Sequence, residues 1–340
     1  MSHRELIRDA FASKTPLNIQ GGGSKGFLQP APVPAKTLHT TDLTGILDYQ
    51  PEELFVRARA GTRLQEIEKL LRQKQQMLPF DPPRFSPAAT LGGSIASGLS
   101  GPSRPWWGAA RDFVLGCVLI NGRGERLRFG GEVIKNVAGY DVSRLQCGAW
   151  GTLGLLEEIS IKTLPAPEEE ITLELELDES DALEKIREWN RQPLPLCGAV
   201  WHQGLLRIRL SGNAAAVAQG RLRIGGERSG NTGFWEQLKE HRLDFFHSAK
   251  PLWRISLPRD CPAMKLPGEI LVDWGGAQRW LLSDSSMEVL SQIAANAGGH
   301  ASPFHPNRPV PLDPGLMRLH QRLKNAFDPA GILNPGRLFP

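Results

Sequence analysis

The sequence predicts an α+β fold in two parts. Short apolar strands mix with helical stretches without a regular β-α-β repeat, two glycine-rich loops interrupt the first half, and the composition shifts at Pro165-Ala166-Pro167, just before Glu168-Glu169-Glu170. At 340 residues the chain has room for two domains and a sizeable core.

The elements follow in order. Leu17–Gln20 reads as a short strand leading into the first loop, and residues 54–60 as another. Residues 62–77 are expected to be helical, with Thr62 and Gln65 in a capping-box pattern and Leu64, Ile67, Leu70 and Leu71 on one face. A proline-rich bend at 79–87 precedes the second loop. Residues 113–120 form the longest apolar run, the pattern of a buried strand, and Asn121-Gly122 signals a hairpin into 125–129. Beyond the composition shift, 171–177 alternates apolar and acidic residues, 181–189 reads as a helix, 199–210 as a hairpin and 234–243 as helical. Asp313 and Pro314 suit the N-cap and first turn of a helix carrying Leu316, Leu319, Leu323 and Phe327, which stops at Asp328-Pro329.

The two glycine-rich loops are Gly21-Gly22-Gly23-Ser24-Lys25 and Ala89-Thr90-Leu91-Gly92-Gly93-Ser94. Glycine lets backbone N–H groups approach a ligand closely, and a nest of such groups favours negative charge, so the pair suggests a long ligand with a diphosphate in its middle. Ordinary tight turns are the alternative, since Gly makes up 36 of the residues. A Walker A loop is excluded, because Gly26 follows Lys25 and no Gly-Lys-Ser or Gly-Lys-Thr occurs. A Rossmann fingerprint is unsupported: the nearest match, Gly122-Arg123-Gly124-Glu125-Arg126-Leu127, has leucine at the third glycine.

Basic residues exceed acidic ones by 40 to 36, interspersed, which gives no nucleic-acid footprint. The start, Met1-Ser2-His3-Arg4-Glu5, has no signal-peptide character, and the apolar runs are too short to span a bilayer. Cys117, Cys147, Cys197 and Cys261 are scattered singly, as expected of a reduced cytosolic chain without an iron–sulfur or structural zinc site of its own. The expected location is cytoplasmic, with membrane association only through partners.

The stretch 89–165 resembles flavoproteins of the vanillyl-alcohol-oxidase and p-cresol-methylhydroxylase type, in the branch containing glycolate and D-lactate dehydrogenases. The matching residues are Thr90-Leu91-Gly92-Gly93, Gly108 with Arg111-Asp112 and Leu115-Gly116, Lys135-Asn136-Val137-Ala138-Gly139-Tyr140-Asp141, Gly151-Thr152-Leu153-Gly154, and the closing Asn334-Pro335-Gly336-Arg337. Gly101-Pro102, Pro105-Trp106-Trp107-Gly108, Asn121 to Glu125 and Phe327 to Ile332 narrow the resemblance to an FAD-binding subunit of the bacterial three-component glycolate oxidases.

The resemblance implies a two-subdomain FAD-binding domain of the p-cresol-methylhydroxylase type over residues 1–165, a smaller α+β cap or subunit-interaction domain over 166–310, and a C-terminal helix and tail over 311–340 returning to the FAD domain. It implies that Gly21, Gly22, Gly23, Ser24 and Lys25 hold the FAD pyrophosphate and that Thr90, Leu91, Gly92, Gly93 and Ser94 form the second wall of the cleft. Arg111, Asp112, Gly139, Tyr140, Asp141, Gly151, Thr152, Gly154, Asn334 and Arg337 complete the expected cofactor set. No histidine or cysteine stands where this superfamily attaches flavin covalently, so the FAD is expected to be dissociable.

By the same resemblance, the chain is an FAD-dependent oxidoreductase acting on the CH–OH group of a 2-hydroxy acid. It would be part of a complex that oxidises glycolate to glyoxylate with a catalytic flavoprotein subunit and an iron–sulfur subunit that passes electrons towards quinone. A stand-alone flavin oxidoreductase and a non-catalytic flavin scaffold are the other readings. The metal and substrate motif of the catalytic relatives, G-H-x-G-D-G-N-x-H, is matched only by Gly298 to His305, which lacks its acidic residue and asparagine. His300 and His305 are therefore open between ligand or base and plain surface histidine. Arg111 and Lys135 are open between phosphate or ribose contact and structural ion pair, and no residue receives a catalytic assignment. Of the nine tryptophans, Trp189, Trp201, Trp235, Trp253, Trp274 and Trp280 lie in the second half, where they can serve a contact surface or, for most of them, the core.

Overall fold

The structure is a computed structural model, and it describes residues 1–29, 33–131, 141–305 and 312–338. The chain divides into two compact units. The first comprises Met1–Leu99, Ala109–Ala166 and Pro309–Pro340; the second comprises Ser100–Gly108 and Pro167–Arg308.

The first unit is built on a five-stranded antiparallel sheet. Its strands run in the order Ile46–Gln50, Phe55–Arg59, Leu155–Lys162, Val114–Ile120 and Arg126–Gly130. Helices Leu64–Arg72 and Leu91–Ser97 contribute Leu64, Ile67, Leu71, Leu91 and Ile95 to a core shared with Val56, Ala58, Leu119, Ile159 and Ile161 from the sheet. Full burial of each of the Leu, Ile and Val side chains is worth about 1.5–3 kcal/mol.

The helix expected over 62–77 is shorter. The Thr62 hydroxyl bonds to Gly45 instead of capping, Arg63 occupies the N-cap without a side-chain hydrogen bond, and Gln76–Met77 pairs as a strand with Leu164–Pro165. Thr62 is drawn away by a tertiary partner that local spacing does not reveal. Phe113 ends a short helix, Ala110–Phe113, before its strand begins.

A second layer joins both ends of the chain. Leu17–Gln20 pairs in parallel with Lys36–His39, and Leu17 also bridges Leu333 from the tail. Ile7 and Ala10 of helix His3–Ser13 pack with Leu17, Leu38, Ile332 and Leu333 beneath them. The helix Pro314–Phe327 has Asp313 as its N-cap, with Asp313 accepting from the N–H groups of Gly315 and Leu316.

The second unit contains an eight-stranded antiparallel sheet. Its order is Glu227–Arg228, Glu169–Glu176, Leu205–Gly212, Leu196–His202, Glu269–Asp273, Gln278–Leu282, Leu252–Ser256 and His300–His305. Helices Glu179–Trp189 and Ala214–Ile224 bury Ile186, Trp189, Val217 and Ile224 in one core, and Met287–Asn296 buries Leu290 and Ala294 in another. The helix expected over 234–243 ends at Lys239, and a 3-10 turn, Asp244–His247, follows. Trp189, Trp235, Trp253 and Trp280 are buried, while Trp201 and Trp274 are partly buried. Ser100–Gly108 reaches into this unit, where the Trp106 indole donates to Asn190 and Arg209 stacks near Trp107 and Trp235.

Candidate functional site

The first unit holds a cleft with a cavity of about 240 Å³, lined by both glycine loops, the turn around Gly151 and the tail. The loops meet at Gly21 and Thr90: a Cβ on Gly21 would lie 2.7 Å from Thr90 Oγ1. A Cβ on Gly22 would stand 1.6 Å from the Ala88 carbonyl oxygen, and one on Gly92 would stand 2.9 Å from that of Ala60. These glycines are thus demanded by the approach of one loop to another, with bare backbone left along the cleft. Gly23 adopts a left-handed φ of 70°.

Asn334 fastens the opposite rim. Its Oδ1 accepts from the Ile19 N–H at 2.6 Å and its Nδ2 donates to the Trp150 carbonyl at 2.6 Å. Both Trp150 and Asn334 have left-handed φ, 50° and 45°, which bulky residues hold only where the surroundings enforce it. Gly151 (φ 72°) lies against the Asn334 side chain, where a Cβ would meet Nδ2 at 2.6 Å.

The electrostatics favour an anion. Among the described lining residues the charged ones are Lys25 and Arg337, and none is a carboxylate. Burial pushes the Arg337 pKa down. Three lining side chains also present buried polar atoms without a partner: Asn18 Oδ1, Gln29 Oε1 and Gln146 Nε2. Asn18 and Gln29 spend their other ends on the carbonyls of Val33 and Leu28. Unsatisfied buried groups are costly, so acceptors, a donor and two cations along one elongated cleft fit a ligand with a diphosphate and polar ring edges. FAD has that chemistry.

Most of the residues expected from the sequence come together here. Gly21, Gly22, Gly23, Ser24, Lys25, Thr90, Gly92, Gly93, Gly151, Gly154, Asn334 and Arg337 line the cleft. Leu91 and Ser94 are buried behind it, and Thr152 is buried with its hydroxyl on the Ala149 carbonyl. Arg111 and Asp112 do not line it: they lie 3.8 Å apart as an exposed pair, and Asp112 accepts from the Ala109 N–H. Asp141 caps the short helix Val142–Leu145 and pairs with Arg144. Gly139, Tyr140 and Lys135 lie outside the described residues, as does the side chain of His305. His300 is exposed on the second unit's sheet. Among the described residues no group of three or more His, Cys, Asp or Glu could hold a metal ion.

The sequence reading missed Asn18, Gln29, Gln146 and Trp150. Asn18 alternates with Leu17 and Ile19 in its strand, a pattern that reads as a solvent-facing position although the residue is buried, and Gln146 gave no signal because its place depends on contacts distant in sequence.

This fold and cleft define an FAD-binding oxidoreductase domain, and the comparisons agree. Residues 3–130 match the FAD binding domain family, and residues 311–338 match the C-terminal domain of FAD linked oxidases; apart from Ser100–Gly108, both stretches belong to the first unit. The chain belongs to the FAD-linked oxidase family that includes glycolate oxidase subunit GlcE of Escherichia coli (strain K12), to which it is 49% identical over 98% of its length and 96% of the relative's.

Glycolate oxidase subunit GlcD of Bacillus subtilis (strain 168) is 34% identical over 38% of this chain and 27% of that protein. A D-lactate dehydrogenase of Anaerostipes hadrus is 31% identical over 39% and 28%. In fold, the chain is similar to the solved structure of alkyldihydroxyacetonephosphate synthase, with a TM-score of 0.69 at 17% identity, covering 99% of this chain and 76% of that one.

Proposed function

We propose that this chain is the FAD-carrying subunit of a glycolate-oxidising complex, working with a larger flavoprotein subunit and an iron–sulfur subunit. The observation that carries the reading is the identity with GlcE, which extends through both units and so covers more than a shared cofactor domain. When bound, FAD supplies a two-electron acceptor for the hydride of a CH–OH group, so that a 2-hydroxy acid becomes a 2-keto acid and glycolate becomes glyoxylate.

The chain's own residues do the holding. In this reading the backbone of Gly21-Gly22-Gly23-Ser24, with Lys25 and Arg337, takes the diphosphate, and Thr90, Gly92 and Gly93 form the facing wall. Asn18, Gln29 and Gln146 satisfy their orphaned atoms on the polar edges of the cofactor, and Asn334 sets the distance between the strand Leu17–Gln20 and the Gly151 turn.

An external electron acceptor is consistent with the cysteines, which are scattered singly along the sequence. Burial pushes the Cys117 thiol up to about 11 and the Cys147 thiol up to about 12, so neither is a ready thiolate nucleophile at neutral pH. Among the described residues no helix is long and apolar enough to cross a membrane, so in this reading any link to a quinone-containing membrane comes through the partners.

The test is an absorption spectrum of the purified chain before and after heating, then after anaerobic glycolate addition. The expected protein is yellow and releases FAD on heating. Bleaching by glycolate alone would make the chain a dehydrogenase in its own right; bleaching only after the partner subunits are added would make it a flavin subunit that depends on them. A colourless chain that still restores activity to a complex lacking it would overturn the reading.

A further inference from the structure

Two phenylalanines join the approaches to the two glycine loops. Phe27 lies on the 3-10 turn Gly26–Leu28 that follows the first loop, and Phe85 lies in the proline-rich bend that precedes the second. Their rings meet edge to face, with centroids 5.2 Å apart and planes at 86°. Phe85 holds a left-handed φ of 57°, a conformation that an aromatic residue keeps only where its surroundings impose it. Those surroundings are stiff: Pro82, Pro83 and Pro87 fix the backbone on either side, and Arg84 pairs with Glu68 of the helix Leu64–Arg72 at 3.2 Å.

The Phe85 ring presents its face to Lys25, whose Nζ lies over it at 5.9 Å from the centroid. Lys25 is buried and lines the cleft, whereas Phe27 and Phe85 do not line it. A buried ammonium needs stabilising neighbours, and two kinds of neighbour have opposite consequences for an anionic ligand. A carboxylate would neutralise the lysine and repel a diphosphate. An aromatic face attracts the ammonium through its quadrupole and leaves the net positive charge for the ligand. The cleft has the second arrangement, with a ring beside the lysine and no carboxylate among the described lining residues.

We propose that Phe85, braced by Phe27, is a positioning residue for the cofactor: its ring holds the Lys25 ammonium ready for the diphosphate before FAD arrives. The proposal rests on the reading above, in which Lys25 takes the diphosphate. Preorganising the lysine lowers the conformational entropy lost when the ligand binds. The left-handed backbone at Phe85 has a use in this arrangement, because a relaxed φ would redirect the ring away from Lys25. The brace from Phe27 also couples the two loops, since a shift of the bend carrying Phe85 moves the support of a side chain in the first loop. Phe85 acts through Lys25 and touches no reacting atom.

The experiment is a double-mutant cycle on the full chain stripped of FAD, titrated with FAD and read by quenching of flavin fluorescence. Lys25→Met should weaken binding by about tenfold to a hundredfold, the worth of a charge-assisted contact. Phe85→Leu should weaken it by roughly fivefold or more, and Phe85→Tyr, which keeps the aromatic face, by less than about twofold. In the Lys25→Met background the further loss from Phe85→Leu should shrink below about twofold, because the ring then has no cation to hold. A merely structural phenylalanine would cost the same factor in both backgrounds, and that result would overturn the proposal, as would natural affinity in Phe85→Leu or a loss in Phe85→Tyr equal to that in Phe85→Leu. Should Phe85→Leu fail to fold, Phe27→Leu decides: Phe27 is 44% exposed, so its ring can be removed without opening the core, and its loss of affinity should likewise vanish in the Lys25→Met background. An additive loss there would overturn the proposal. A natural chain that takes up no FAD counts against the function proposed above, whereas a chain that binds FAD without coupling between Phe85 and Lys25 counts against this inference alone.

Discussion

Lys324 and Asp328 form an ion pair 2.6 Å long, one turn apart at the end of the helix Pro314–Phe327, and Asp328 is fully buried. The same ammonium donates to the carbonyls of Thr152 at 2.7 Å and Leu333 at 2.8 Å, while the Asp328 carboxylate accepts from the N–H groups of Ile332 and Leu333. The pair thus ties the tail to the Gly151 turn immediately before Asn334 enters the cleft. Lys324→Met would leave a buried carboxylate uncompensated, a loss of about 3–5 kcal/mol. The expected outcome is a urea midpoint well below the natural one together with FAD affinity at least tenfold weaker, read by recovery of flavin fluorescence on dilution.

The packing at Gly22 separates two ways of damaging the first loop. Gly22→Ala sets a methyl group against the Ala88 carbonyl, so it should destabilise the fold by about 1–3 kcal/mol and lose FAD as a consequence. Ser24→Glu introduces a negative charge in the half-buried lining without that collision, and should lose FAD while the melting temperature of the apoprotein stays within a degree or two. Thermal unfolding with flavin quantification on both variants checks the distinction. Full FAD content in Ser24→Glu would remove the diphosphate from this loop.

Arg337 offers a milder test of the same electrostatics. A charge-assisted hydrogen bond contributes about 1.5–3 kcal/mol, so Arg337→Ala should weaken FAD binding by roughly tenfold to a hundredfold. The loss should shrink as salt rises, because screening already weakens the natural contact. Titration at two ionic strengths reads both effects.

The second unit should be acid-sensitive through His241. Its ring stacks on Phe246 at 4.0 Å and meets Trp280 edge-on at 4.8 Å, and burial pushes its pKa down to about 3. The folded state therefore stays unprotonated while the unfolded chain takes up a proton below about pH 6.5. Since the unfolded state binds more protons there, stability falls as pH drops from that value towards the folded pKa. Between pH 7 and pH 5 the loss from this group is about 2 kcal/mol, and His241→Phe should remove that component of the pH slope in urea unfolding.

Local chemistry was legible in the sequence, and distant partners were not. Asp313 and Pro314 begin their helix as expected, and Asn121-Gly122 turns one strand into the next, because each signal lies within a few residues of its effect. Thr62 shows the opposite case, its hydroxyl taken by Gly45. Within the cleft, the glycine loops stood out by composition. Gln146 and Trp150 gave no sign of their place, since strands and tail far along the chain bring them to it. The excursion Ser100–Gly108 was equally hidden: Trp106 donates to Asn190 and Trp107 lies under the Arg209 guanidinium, partners about a hundred positions away.

The bond from Ile19 to Asn334 joins positions 315 residues apart. On a ribosome, the strand and both glycine loops emerge long before the residue that fastens the rim, so the cleft stays unfinished until almost all of this sequence has been made. A nascent or clipped polypeptide would display the loops yet grip the flavin poorly. Yellow colour in a purified sample is accordingly a report on intact synthesis as well as on cofactor supply.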